Sequence, residues 1–140
     1  MKNLFIVLLI QVLINACSYK NTDNCHKVRT FLNKTDKTLF VDFGSYPLSV
    51  AENYVSNPFI ANPSFKILPR ETNNTALSYG NCLEDSFQKA QKISVFVFDA
   101  DIVQNTPWET IKANEIYLKR YDLTLQDWQN NNWTITYDGN

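Results

Sequence analysis

Asp99 and Asp101 are the residues of this chain whose type and spacing come nearest to chemistry. They close the run I-S-V-F-V-F-D-A-D, Ile93 to Asp101. Two carboxylates on one side of a strand end could hold a calcium ion with help from backbone carbonyls. The competing reading is plainer: solvated aspartates that stop the strand. Cys25 and His26 are adjacent, and neighbours in sequence point in different directions, so they make a poor nucleophile–base pair. A structural zinc wants about four ligands, and His26 is the only histidine. Asp122, Asp127 and Asp138 are scattered without an obvious partner. No G-x-S-x-G, H-E-x-x-H or glycine-rich phosphate loop occurs in a chain with only three glycines. An enzyme is not expected, and no catalytic residue, metal or cofactor is assigned.

The elements that must position these side chains centre on the same run. Ile93, Val95 and Val97 form one face and Phe96 and Phe98 the other, the pattern of a strand buried on both sides. Lys27 to Leu32 and Thr38 to Phe43 alternate as strands around a polar Asn33-Lys34-Thr35-Asp36-Lys37, which predicts a hairpin. Four of the five prolines fall between Ser45 and Pro69, which argues against a helix or a central strand there. That stretch reads as an irregular excursion with a short strand at Ser64 to Leu68, and a further edge strand is expected from Thr75 to Tyr79. It is either a plain crossover of a sandwich or a binding surface, in which case Tyr46, Tyr54, Phe59 and Phe65 are its exposed aromatics.

Asn81 to Lys89 reads as a short helix with Leu83 and Phe87 on one face. Thr106-Pro107-Trp108-Glu109 carries a capping-box pattern with proline at the first helical position, and Trp108 and Ile111 share a face. Thr124-Leu125-Gln126-Asp127 repeats the pattern with Asp for Glu, burying Leu125 and Trp128. The asparagines at 130–132 suit the left-handed conformation of a helix end. Between these helices Ile116 to Leu123 reads as a strand. Trp133 to Tyr137 alternates as a half-buried strand. The expected fold is mainly β, a two-layer antiparallel β-sandwich with two or three short helices.

Three resemblances refine this picture. The apolar strand ending in Asp99-Ala100-Asp101 resembles the first motif of haloacid-dehalogenase-type phosphatases, in which the first aspartate is the nucleophile and the second the general acid. Only 39 residues follow Asp101, too few for the parallel βαβ units that family needs, so its activity is not carried over. At the N-terminus, Lys2 and the apolar run Leu4 to Ile14 read as a secretory signal rather than a membrane span. Leu13-Ile14-Asn15-Ala16-Cys17 resembles the lipobox of bacterial lipoproteins, which implies cleavage before Cys17 and acylation of its thiol. The bland alternative is an ordinary secretory leader with Cys17 incidental. Finally, FDAD (Phe98 to Asp101), Trp108, LKRYDLTLQDW (Leu118 to Trp128) and NWTITY (Asn132 to Tyr137) resemble small lipoproteins of unknown function from Bacteroides and relatives.

The organisation that follows is a signal peptide over 1–16, a lipidated tether over 17–24 and one domain over 25–140. With Cys17 acylated, Cys25 and Cys82 remain as a pair in an exported protein, where a disulfide is expected. Two free buried thiols or a metal site are the alternatives. The charge is 13 basic against 14 acidic residues, with no long run of either sign, which argues against nucleic acid and against a basic membrane patch. Attachment to the membrane is expected through acyl chains on Cys17. Ser18 resembles the default for outer-membrane sorting, facing the periplasm. The expected function is a non-enzymatic binding module of the cell envelope for a protein or glycan. An immunity or inhibitor protein against a toxin or hydrolase is the alternative, and an enzyme built from scattered carboxylates the third.

Overall fold

A computed structural model of the chain describes residues 22, 24–45, 49–50, 56–78 and 80–140. The leader, Cys17, Tyr46, Tyr54 and Tyr79 lie outside the described residues. Strand β5 (Ile93–Asp99) is central to a four-stranded sheet ordered β3-β2-β5-β6, with β3 at Lys66–Ile67, β2 at Leu39–Phe43 and β6 at Lys119–Leu123. All its pairings are antiparallel. A second sheet is ordered β4-β1-β7: β4 (Thr72–Asn73) runs antiparallel to β1 (Thr30–Asn33), and β7 (Thr134–Tyr137) runs parallel to it. The fold is the two-sheet, mainly β sandwich expected from the sequence.

The two faces of β5 divide the interior. Ile93, Val95 and Val97, with Leu39, Val41, Phe43 and Ile67, meet Phe31, Ile135 and Tyr137 of the second sheet. Phe96 and Phe98 turn outward with Phe40 and are covered by helical residues Ala100, Val103 and Ile111. Each such side chain taken fully from water contributes about 1.5–3 kcal/mol. The covering helices are α3 (Ala100–Asn105) and α4 (Trp108–Ala113), so a helical layer backs the four-stranded sheet. Short helices also stand at α1 (Pro58–Ala61), α2 (Leu83–Phe87) and α5 (Leu125–Asn130). That makes five among the described residues, more than the two or three expected.

The expected hairpin does not form. β1 and β2 lie in different sheets, and the polar residues between them turn a corner from one layer to the other. Asn33, fully buried, shapes it: its amide donates to the carbonyls of Lys37 and Leu68 and its oxygen accepts from the Thr35 N–H. Leu68 belongs to a second corner, from β3 to β4, and Arg70 of that corner, left-handed at φ 59°, forks onto Asp36. Both layer crossings are thus pinned together. A polar five-residue loop serves a hairpin and a corner equally well, so the pattern alone favoured the shorter path.

Other local readings shift for identifiable reasons. Pro58 does not exclude a helix, because it occupies the first turn of α1, where its missing N–H costs nothing, and Asn57 caps the Phe59 N–H. The edge strand expected at Thr75 to Tyr79 is replaced by β4 at Thr72–Asn73. Asn73 then accepts from the N–H groups of Thr75 and Ala76 and makes a turn that plugs Ala76 and Leu77 into the core. The capping box at Thr106 is absent: α4 begins after Pro107 with no side-chain cap, and the Thr106 N–H closes α3 on Ile102. The weaker pattern is the complete box, with Thr124 and Asp127 capping each other's N–H groups. Trp133 is left-handed at φ 58° and precedes β7 instead of belonging to it.

Candidate functional site

Asp99 and Asp101 do not act as a pair. Asp99 is the N-cap of α3, accepting from the Asp101 N–H at 3.0 Å, and it takes the Lys37 ammonium at 2.7 Å. Burial pushes its carboxyl up, but the Lys37 ammonium and the N–H groups of Asp101 and Ile102 outweigh it and hold the carboxyl below its ordinary value. Asp101 lies one residue inside the helix, not on the strand, and is exposed. Beside Asp99, Ile102, Val103 and Tyr117 line a recess of about 40 Å³, the scale of a water molecule or two. Among the described residues no group of three or more His, Cys, Asp or Glu side chains is placed to hold a metal ion. Asp122, for which the sequence offered no obvious partner, pairs with Arg120 on the same side of β6 at 3.0 Å, and Ser94 donates to the same carboxylate.

Cys25 and Cys82 are joined by a disulfide, with Cα atoms 4.8 Å apart. His26 turns away from them, as neighbours in sequence do, toward Glu84 in the first turn of α2. One Glu84 oxygen takes the imidazole Nδ1 and the other accepts the His26 backbone N–H at 2.9 Å. Burial raises the Glu84 carboxyl, but these two His26 contacts overcome it and hold the carboxyl low. The imidazole stacks on the Trp133 indole, centroids 3.6 Å apart and planes within 11°. Beneath, the buried Arg29 guanidinium donates to the carbonyls of Leu77, His26 and Asn81. A carboxylate-oriented imidazole is the geometry of a general base, yet the neighbouring sulfurs are spent on each other. The cluster braces the chain where it enters the fold. Glu84 and Trp133 escaped the sequence reading because their partner His26 is 58 residues from one and 107 (133 − 26) from the other.

The remaining feature is a surface. Phe59 and Ile60 on α1 are 49% and 77% exposed, and Ile102 on the adjacent α3 is 38% exposed. Phe59 is not loose: its ring meets Phe40 edge-on at 5.9 Å, tying the exposed ridge to the outer core. Asp99 and Asp101 flank it along α3, with Asp101 exposed. Of the aromatics expected on a binding surface, Phe59 is there, but Phe65 is not. It is only 9% exposed and belongs to the outer core, because the 3-10 turn Pro63–Phe65 folds it under toward the sheet.

The chain is therefore a two-sheet sandwich with a helical layer on one outer face and an apolar ridge on that layer. No protein-family model, no curated protein and no solved structure matches it.

Proposed function

We propose that this protein is a non-enzymatic binding module of the bacterial cell envelope, held to the membrane through acyl chains on Cys17, that engages another protein or a glycan. The observation that carries the reading is the ridge of Phe59, Ile60 and Ile102. Isolated exposed apolar residues are ordinary, but three on two adjacent helices, seated on a packed aromatic layer, form the kind of patch that binding partners cover. Asp101 at its rim favours a partner with apolar anchors and a basic edge. An immunity or inhibitor role against a toxin or hydrolase would use the same surface.

The test is site-specific photocrosslinking in the native envelope. A photoreactive residue at Ile60 is expected to give a discrete adduct, lost in the Phe59→Ser/Ile102→Ser background. The same residue at exposed Asn130 on α5 is expected to give none. Equal labelling at both positions, or none at Ile60 in cells with abundant protein, counts against the proposal.

A further inference from the structure

The apolar ridge stands on a built frame. The dipeptide Asn-Pro occurs at Asn57-Pro58 and again at Asn62-Pro63, one copy at each end of α1. Each asparagine oxygen turns back onto the chain: Asn57 accepts from the Phe59 N–H at 3.0 Å and Asn62 from the Ser64 N–H at 2.9 Å. Pro58 and Phe65 are buried at the feet of the frame, and the Phe59 ring is tied to Phe40. Between the feet, Phe59, Ile60, Ala61 and Asn62 all stand in solvent. Ile60, at 77%, is the most exposed large apolar side chain among the described residues. Proline fixes φ, so a tip held this way has little freedom left to lose on binding.

Placement, charge and size select what covers the tip. No residue from Asn57 to Phe65 is charged, and both asparagine oxygens are already accepting. A branched aliphatic tip offers a sugar neither a flat ring face nor convergent polar groups for its hydroxyls. The bilayer is disfavoured by position. An anchor on Cys17, as proposed above, reaches the fold at Cys25, ahead of β1, whereas the ridge lies beyond the far end of that strand. There Phe59 meets Phe40 at the start of β2, the Thr38 carbonyl takes the Ala100 N–H, and Lys37 reaches Asp99. A second copy is disfavoured by size: three side chains expose on the order of 300 Å², well short of the ~800 Å² each partner gives a standard interface. A convex tip is also not self-complementary across a two-fold axis. An anchor of that size does suffice where it fills a pocket. Asp101, exposed beside Ile102, sets the charge at the edge, since Asp99 is already neutralised by Lys37.

We propose that the ridge is a wedge for a cleft on another protein, Ile60 entering an apolar pocket whose mouth carries basic residues facing Asp101. The inference deepens the protein arm of the binding-module reading and rests on it.

The test places a photoreactive residue at exposed Ala61 of the full chain in the native envelope, so that Ile60 itself is kept. The adduct is digested and mapped by mass spectrometry. The expected adduct joins Ala61 to one foreign polypeptide, which is then purified and titrated against the full chain in detergent. Ile60→Ala should weaken that binding about tenfold or more. Asp101→Lys should slow association at low salt at least about fivefold and leave dissociation nearly unchanged. Asn57→Ala, which loosens the frame and keeps every apolar side chain, should weaken binding about threefold. Binding unchanged in Ile60→Ala, or association not slowed in Asp101→Lys, overturns the wedge. So does an adduct to phospholipid or to a second copy of this chain. An adduct that is glycan alone overturns the wedge and leaves the binding-module reading standing, whereas no adduct at either Ile60 or Ala61 removes both.

Discussion

Removing the Cys25–Cys82 bridge should lower stability by about 4 kcal/mol. The cysteines are 57 residues apart, and closing a loop of that length removes roughly 14 cal/mol/K of chain entropy from the unfolded state, about 4 kcal/mol at 25 °C. The folded state should lose almost nothing. The Leu83 N–H still donates to the His26 carbonyl at 3.0 Å, and Glu84 still holds His26, so the two segments stay side by side without the covalent bond. The full effect therefore falls on the unfolded chain, against a net stability of ~5–15 kcal/mol for a domain. The assay is urea unfolding of the oxidised protein, of the same protein under a phosphine reductant, and of the Cys25→Ala/Cys82→Ala variant. Native circular dichroism should be unchanged, and the unfolding midpoint should fall. Hydrogen exchange should quicken first over residues 74–82 and α2, since β2 and β3 remain paired into the central sheet. A loss under ~1 kcal/mol, or rapid alkylation of both cysteines in the native oxidised protein, would refute the reasoning.

Glu84 has a carboxyl held below its ordinary value in the folded protein, so its contribution is present above the unfolded value and lost as pH falls through the lower folded one. Glu84→Gln should therefore remove part of the acid destabilisation between roughly pH 5 and 3 in thermal melts. Thr124→Ala should cost about 1 kcal/mol of stability through loss of the capping box, while Thr106→Ala should stay within ~0.5 kcal/mol; paired urea titrations check both. Phe65→Ala should cost about 3–5 kcal/mol as a core truncation, and Phe59→Ala about 1 kcal/mol or less, the worth of its edge contact with Phe40. Cys17→Ala should abolish fatty-acid labelling in a bacterium that matures lipoproteins, and an unlabelled wild-type protein would end the anchor proposal.

The central strand could be read with both its faces because alternation within seven residues is a local signal, and Ile93, Val95 and Val97 do separate from Phe96 and Phe98 into two cores. What failed was the choice of partner. The Asn33–Lys37 segment has the composition of a turn whichever sheet comes next, and only the burial of the Asn33 amide reveals the corner. The cap expected at Thr106 failed in the same way. Thr106 and Glu109 have the right spacing, but α4 starts at Trp108 with Pro107 in the cap position, while Thr106 ends α3 with its N–H on the Ile102 carbonyl. Phe59 and Phe65 have the same composition around them and opposite fates, decided by the turn at Pro63–Phe65. The His26–Glu84–Trp133 cluster arises from residues brought together by topology, which periodicity does not encode.

The parallel pairing of β1 with β7 sets when this molecule can finish folding. Thr30 to Asn33 align with Thr134 to Tyr137, roughly a hundred residues later. Until β7 arrives, one side of β1 has no neighbour, and Phe31 faces a core still lacking Ile135 and Tyr137. Contacts so distant in sequence fold slowly, so the sandwich stays open through most of the chain's emergence from any channel. If the chain is exported from its N-terminus, as proposed above, the portion already across cannot close prematurely against the portion still threaded. It also makes the strand from Thr134 the final latch, so trimming the chain before Thr134 should leave a collapsed but unlatched sandwich.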